Sequence, residues 1–160
     1  LYAQTWNPPW GEFEGDSQGL VTMHLENGVR TFYEGAKTNA KLLNGWSHEY
    51  IRAETEKSTL ILDNRKLTAH TIEPSDEIRP EPITSTIGFR KQKYWKDTWI
   101  TEQFCDWLDG GAPSPTNVED NLQSIALIFA AIESSRSGQP VKVQEFLQAA
   151  QQKEETALRT

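Results

Sequence analysis

The stretch Ser17-Gln18-Gly19-Leu20-Val21-Thr22-Met23-His24-Leu25-Glu26-Asn27-Gly28-Val29-Arg30-Thr31-Phe32-Tyr33-Glu34 decides the fold class. Its first arm alternates. Val21, Met23 and Leu25 share one face, and Leu20, Thr22, His24 and Glu26 share the other, the period of a strand covered on one side. Asn27-Gly28 is a strong hairpin signal and predicts a type I′ turn in which both residues hold positive φ. Residues 29–34 then return as the partner strand. The same reading extends outward. Residues 1–6 are strand-like, and residues 46–54 place Trp46, His48, Tyr50 and Arg52 on one face with Ile51 and Ala53 on the other. Residues 58–62 and 66–72 flank Asp63-Asn64-Arg65 and predict a second hairpin. Residues 73–82, with Pro74, Pro80 and Pro82, read as a surface loop, and residues 83–89 as a further strand.

The period changes after Trp95. Ile100, Phe104, Trp107 and Leu108 recur at i, i+4, i+7 and i+8, an apolar helical stripe closed by Gly110-Gly111. Thr116-x-x-Glu119 after Pro115 predicts a capping box. The helix it opens runs through Leu122, Ile125, Phe129 and Ile132, with Ala126, Ala130 and Ala131 between them. Apolar nearly all round its middle, this helix is expected to lie buried between layers. Gly138 and Pro140 end it; Val141 and Val143 make a short extended piece, and residues 144–157 a polar terminal helix. Strands first and helices after them predict an α+β fold: one large, mostly antiparallel open β-sheet with helices packed on one face, forming a single domain over residues 1–160.

Charge and composition narrow the function classes. Sixteen Lys and Arg against 23 Asp and Glu give a net charge of −7 with no basic run, which argues against a nucleic-acid or anionic-membrane partner. The longest apolar run, residues 125–132, is far short of the ~20 residues that span a bilayer. A single cysteine, Cys105, leaves no internal disulfide and points to a reducing, cytoplasmic compartment. The only methionine is Met23, and no charged start leads into an apolar stretch, so the chain is expected to be part of a longer polypeptide without a visible signal peptide.

Most catalytic signatures are missing. There is no Gly-x-Gly-x-x-Gly and no Walker-type loop to cradle phosphate. His24, His48, His70 and Cys105 lack metal-ligand spacing, so no metal site is expected, and Cys105 reads as a packing residue. Glu12, Glu14 and Asp16 lie near Trp6 and Trp10, but paired glycosidase carboxylates need a rigid separation of ~5 to 9 Å that a Pro/Gly loop does not provide. The row Trp46, His48, Tyr50 and Arg52 suits a sugar or polyol, because rings stack on C–H faces while His and Arg hydrogen-bond hydroxyls. The same row equally suits an interface or a solvated face. Six Trp, four Tyr and six Phe leave two readings of the open sheet: a surface for a second copy, or aromatics scattered along the edge of the core.

The segment from Phe104-Cys105-Asp106-Trp107-Leu108-Asp109-Gly110-Gly111-Ala112-Pro113-Ser114-Pro115-Thr116 on through Asn121-Leu122-Gln123-Ser124-Ile125 to Ser134-Ser135-Arg136-Ser137-Gly138-Gln139-Pro140-Val141 resembles the closing segment of Gfo/Idh/MocA-family oxidoreductases. Glu26-Asn27-Gly28, Tyr33-Glu34-Gly35 and Glu56-Lys57-Ser58-Thr59-Leu60 resemble that family's sheet, with Ser58 where the family usually carries Gly. The resemblance implies the C-terminal domain of a longer NAD- or NADP-dependent dehydrogenase acting on a sugar or polyol. In that family a separate Rossmann domain binds the cofactor and carries the catalytic motifs, none of which matches here, so no catalytic or cofactor-binding residue carries over. The domain would shape the substrate pocket, with Trp46, His48, Asn39 and Tyr33 as candidate substrate contacts, and would form a homodimer or higher oligomer through its open sheet face. Alone, it is expected to be inactive and to bind NAD(P) negligibly. The rival reading is a stand-alone, non-catalytic sugar-binding or dimerisation module.

Overall fold

Alternation and turn chemistry give seven strands among the described residues, followed by three helices. The computed structural model describes residues 1–38, 40, 48–76, 78 and 80–157. The elements run β1 (Tyr2–Trp6), β2 (Gln18–His24), β3 (Arg30–Ala36), β4 (Tyr50–Glu54), β5 (Ser58–Asp63), β6 (Lys66–Thr71), β7 (Ile83–Ile87), α1 (Lys96–Leu108), α2 (Val118–Ser137) and α3 (Val143–Ala157). The class is α+β, as the order of periods implies. Among the described residues the strands fall in two sheets, β1-β2-β3 and β4-β5-β6-β7, where the sequence predicts a single large sheet. Two compact units interleave along the chain. One holds Leu1–Trp6, Gly19–Tyr33 and Gln92–Thr160; the other holds Asn7–Gln18 and Glu34–Lys91.

In the first unit, Asn27-Gly28 makes a hairpin of a different kind from the one predicted. The Leu25 and Val29 backbones pair at 3.0 Å, and Gly28 N–H donates to the Leu25 carbonyl. Only Gly28 holds positive φ (85°), so the loop has three residues and ends in a glycine bulge. Asn27 meets its own turn instead, its Oδ1 accepting from Val29 N–H at 3.2 Å. A two-residue type I′ turn does occur, in the second unit: Asn64 (φ 45°) and Arg65 (φ 64°) lie between the paired residues Asp63 and Lys66.

Helix α2 packs on β1 through small residues. Ala126, Ala130 and Ser134, at i, i+4 and i+8, are buried, as is Ala3 on the strand. Close approach lets hydroxyls serve the strand's outer edge. Ala3 N–H donates to Ser134 Oγ at 3.0 Å, Ser134 Oγ donates onward to the Gln139 carbonyl at 2.7 Å, and Thr5 N–H donates to Ser135 Oγ at 2.9 Å. Beyond the helix, Leu1 and Val141 exchange both of their backbone hydrogen bonds, at 2.9 and 2.7 Å. These groups would otherwise be unpaired donors at a covered sheet edge. The expectation that α2 is buried all round fails. Its large apolar residues Ile125, Ile128 and Phe129 are exposed, the last two by 61% and 56%. The buried face is chosen by how close the backbone of β1 must come, which favours Ala and Ser over bulk.

The helix ends follow local rules. The cap of α2 is Asn117, one residue beyond the predicted Thr116, and its Oδ1 accepts from Asp120 N–H at 3.0 Å. Thr116 instead lies 3.1 Å from the hydroxyl of buried Ser114, and its carbonyl accepts from Asn121 Nδ2. Helix α1 closes with paired bonds, Gly110 N–H to the Trp107 carbonyl and Gly111 N–H to the Asp106 carbonyl. Gly110 sits at φ 91°, and a Cβ on Gly111 would come within 2.7 Å of the Asp106 oxygen, so this ending needs both glycines. At its start α1 has no side-chain cap, and none of its residues is buried. Helix α3 lies along α2, with Gln144 Nε2 donating to Gln123 Oε1 at 2.8 Å.

Candidate functional site

The turn at Asn64-Arg65 fixes the β5–β6 register, and with the β4–β5 and β6–β7 registers this sets a polar row. Pairing Asp63 with Lys66 brings Thr59 opposite His70. On either side, Glu54 stands opposite Thr59 and Thr84 opposite His70. One line across four strands therefore reads Glu54, Thr59, His70, Thr84. Arg52, Ile61, Thr68 and Thr86 form the next row on the same face. The opposite face carries Ile51, Leu60, Leu62, Leu67, Ala69 and Ile87, so the sheet has one polar side and one apolar side.

Side-chain hydrogen bonds join the row in two pairs, Glu54 with Thr59 and His70 with Thr84. Thr59 Oγ1 donates to Glu54 Oε2 at 2.5 Å, and Arg52 forms an ion pair with the same carboxylate. His70 Nδ1 lies 2.9 Å from Thr84 Oγ1. The Thr59 hydrogen bond, and after it that of Arg52, hold the Glu54 carboxyl below its ordinary pKa, since each favours the charged form. Hydroxyls, an imidazole and a carboxylate in one row offer donors and acceptors to a polyhydroxylated ligand or to a second protein surface. Sequence reading weighed His70 only as a metal ligand and passed over its neighbours. The missed signal is arithmetic: a two-residue turn centred on 64 and 65 pairs any two residues whose numbers sum as 63 and 66 do.

Of the four candidate contacts, Tyr33 lies in β3 and is exposed, and His48 is exposed just before β4. They belong to different compact units. Trp46 and Asn39 lie outside the described residues. Of the aromatic row, Tyr50 and Arg52 are exposed on β4.

The loop preceding β2 is better built than its Pro/Gly content suggests. Asn7 Nδ2 donates to the Phe13 carbonyl at 2.7 Å, and its Oδ1 accepts from Ser17 Oγ at 2.7 Å. Trp10 Nε1 donates to the Thr38 carbonyl at 3.2 Å while the ring stays 68% exposed. Glu12, Glu14 and Asp16 are exposed in the same loop.

Among the described residues no group of three or more His, Cys, Asp or Glu could hold a metal ion. Nor do the described residues include the glycine turn between strand and helix that cradles a dinucleotide pyrophosphate. Binding that pyrophosphate needs a strand running through a tight glycine turn into a helix. Here β7 is the strand that precedes a helix, and residues 88–95 separate it from α1. No described helix is long and apolar enough to cross a membrane.

No family model matches the chain. It is 44% identical over 151 residues to an uncharacterized protein, y4oX, of Sinorhizobium fredii (strain NBRC 101917 / NGR234), a match covering 93% of this chain and 42% of that protein. The chain thus spans less than half of the curated relative it matches. Solved structures of other proteins share the fold. An oxidoreductase from Agrobacterium radiobacter, solved in complex with NAD+, L-tartaric acid and magnesium, matches with a TM-score of 0.66 and 17% identity over 90% of this chain and 43% of its own. An NAD-binding protein from Listeria innocua matches with a TM-score of 0.59 and 17% identity over 86% of this chain and 39% of its own.

Proposed function

We propose that this chain is the C-terminal, substrate-side domain of a Gfo/Idh/MocA-family oxidoreductase, the longer protein being an NAD- or NADP-dependent dehydrogenase of a sugar or polyol. The observation that carries the reading is the shared fold over nine-tenths of the chain with an oxidoreductase solved with NAD+. The family-like segment from Phe104 to Val141 supports it: it forms the C-terminal end of α1, the double-glycine ending, α2 and the piece that pairs with Leu1.

In this reading the cofactor and the hydride chemistry belong to the rest of the polypeptide, and this domain binds and orients the substrate. Tyr33, His48, Asn39 and Trp46 are its candidate contacts. The polar row of Glu54, Thr59, His70 and Thr84 lies on the sheet face proposed to meet a second copy in a homodimer, where its hydroxyls and imidazole would find partners across the interface. The proposed compartment is the cytoplasm.

The test is to express the complete coding sequence and follow reduction of NAD+ and NADP+ against a panel of neutral polyols, aldoses and sugar acids. Turnover with a polyol or aldose, weakened at least tenfold by His48→Ala, is the expected result. Sugar binding by the 160-residue chain, with no turnover by the complete polypeptide, would favour the stand-alone sugar-binding module instead. The exposed ring of Trp10, its N–H already engaged, would then be the natural stacking platform.

A further inference from the structure

Among the described residues, helix α2 has two apolar faces and a packed partner on one of them. Ala126, Ala130 and Ser134 face β1. Helix α3 reaches the same helix at Gln123, about 20° around the axis from Ala130 at 100° per residue. Val118, Leu122, Ile125, Phe129 and Ile132 recur at spacings of four and three residues, and their stripe is centred roughly a third of a turn away from the buried face. Val118, Leu122, Ile125 and Phe129 are all exposed. Helix α1 shows the same deficit. Ile100, Phe104 and Trp107 follow the same spacing and stand exposed, on a helix with no N-terminal side-chain cap and no buried residue. A 13-residue helix without a cap or a packed face is marginal by itself.

We infer that the Val118–Leu122–Ile125–Phe129 stripe of α2 is the seat of an apolar helix face from the part of the polypeptide lying outside these 160 residues. Three facts select this occupant. The four-and-three spacing is that of a helix seated along a helix. The faces met by β1 and α3 are already accounted for. The matched region makes up 42%, 43% and 39% of three similar proteins, so more than half of each is protein of another part of the chain. The inference rests on the oxidoreductase-domain reading only in taking the polypeptide to be longer, and it extends that reading by naming the surface that joins the two parts.

The experiment is thiol labelling in a Cys105→Ser background. Ile125→Cys and Phe129→Cys report on the stripe, Lys142→Cys is the exposed control, and each is made both in the complete polypeptide and in the 160-residue chain. Circular dichroism confirms helix content, and two stripe positions guard against one variant failing to fold. In the complete polypeptide, labelling of Ile125→Cys and Phe129→Cys is expected to be at least tenfold slower than that of Lys142→Cys, at every protein concentration. In the 160-residue chain all three should react at similar rates. Equal rates in the complete polypeptide overturn the inference. So does protection in the short chain that grows with concentration, which would mean that a second copy covers the stripe, and so does a coding sequence with no further region. NAD+ titration of the complete polypeptide separates the two claims. Protection without NAD+ binding keeps the docked helix and removes the oxidoreductase reading; NAD+ binding without protection does the reverse.

Discussion

Strand β1 and the β4–β7 sheet are built from the same alternating sequence pattern, yet they are buried very differently. Ala3 in β1 is 1% exposed, because α2 brings small residues and two serine hydroxyls against the strand's outer edge. In β4 and β7 every residue is exposed, although both strands pair along their full length. Ladders come from neighbours in sequence, through turns such as Asn64-Arg65. Burial comes from elements far along the chain, and a sheet can have all of the first with little of the second.

The comparison breaks most sharply at Ser134. Its hydroxyl accepts from Ala3 and donates to Gln139 while wholly buried, so Ser134→Ala leaves a backbone N–H and a carbonyl without that partner. A loss of about 1–3 kcal/mol is expected, read as a lower urea midpoint. Amide exchange should accelerate in β1 before it does in β5 and β6. Uniform acceleration across both would show that the two regions unfold as one.

A smaller effect of opposite sign is expected at Arg65. A non-glycine residue in the left-handed region is strained, and the type I′ turn favours Asn-Gly. Arg65→Gly should therefore stabilise the β5–β6 hairpin by about 0.5–1 kcal/mol, after the entropy cost of glycine is subtracted. A lower thermal midpoint for this variant would mean that the Arg65 side chain contributes something the turn geometry does not reveal.

The smallest effect belongs to Glu54. Its carboxyl titrates below the usual range, so the stabilisation it brings is present above the ordinary carboxylate pKa and is lost as pH falls through the lowered value. Urea midpoints of the native protein and of Glu54→Gln should differ near neutral pH and converge as pH falls below the ordinary carboxylate range. A gap that widens on acidification would contradict the assigned direction. Because the group is exposed, salt should narrow the gap as well.

These contrasts show what a sequence makes legible. The α+β class, the strands around Asn27-Gly28 and Asp63-Asn64-Arg65, and the glycine endings of α1 and α2 follow from period and turn residues acting over a few positions. The buried face of α2 did not, because the largest apolar residues are not the ones that let a helix approach a strand edge. The helix cap moved from Thr116 to Asn117 because the Thr116 hydroxyl is drawn to Ser114. The polar row of Glu54, Thr59, His70 and Thr84 is invisible strand by strand and emerges only when three registers are combined. Tyr33 and His48 are both exposed, and alternation does not encode the tertiary placement that a role as joint substrate contacts would require.

The bonds between Leu1 and Val141 join residues 140 positions apart. During synthesis, β1 emerges well before α2 and the turn beyond it, and can complete its outer edge only after they have followed. Every residue from Leu1 to Val141 must therefore be made before β1 is finished. Until then that edge stays open to other strands, which makes the interval a point where a holding chaperone would matter most.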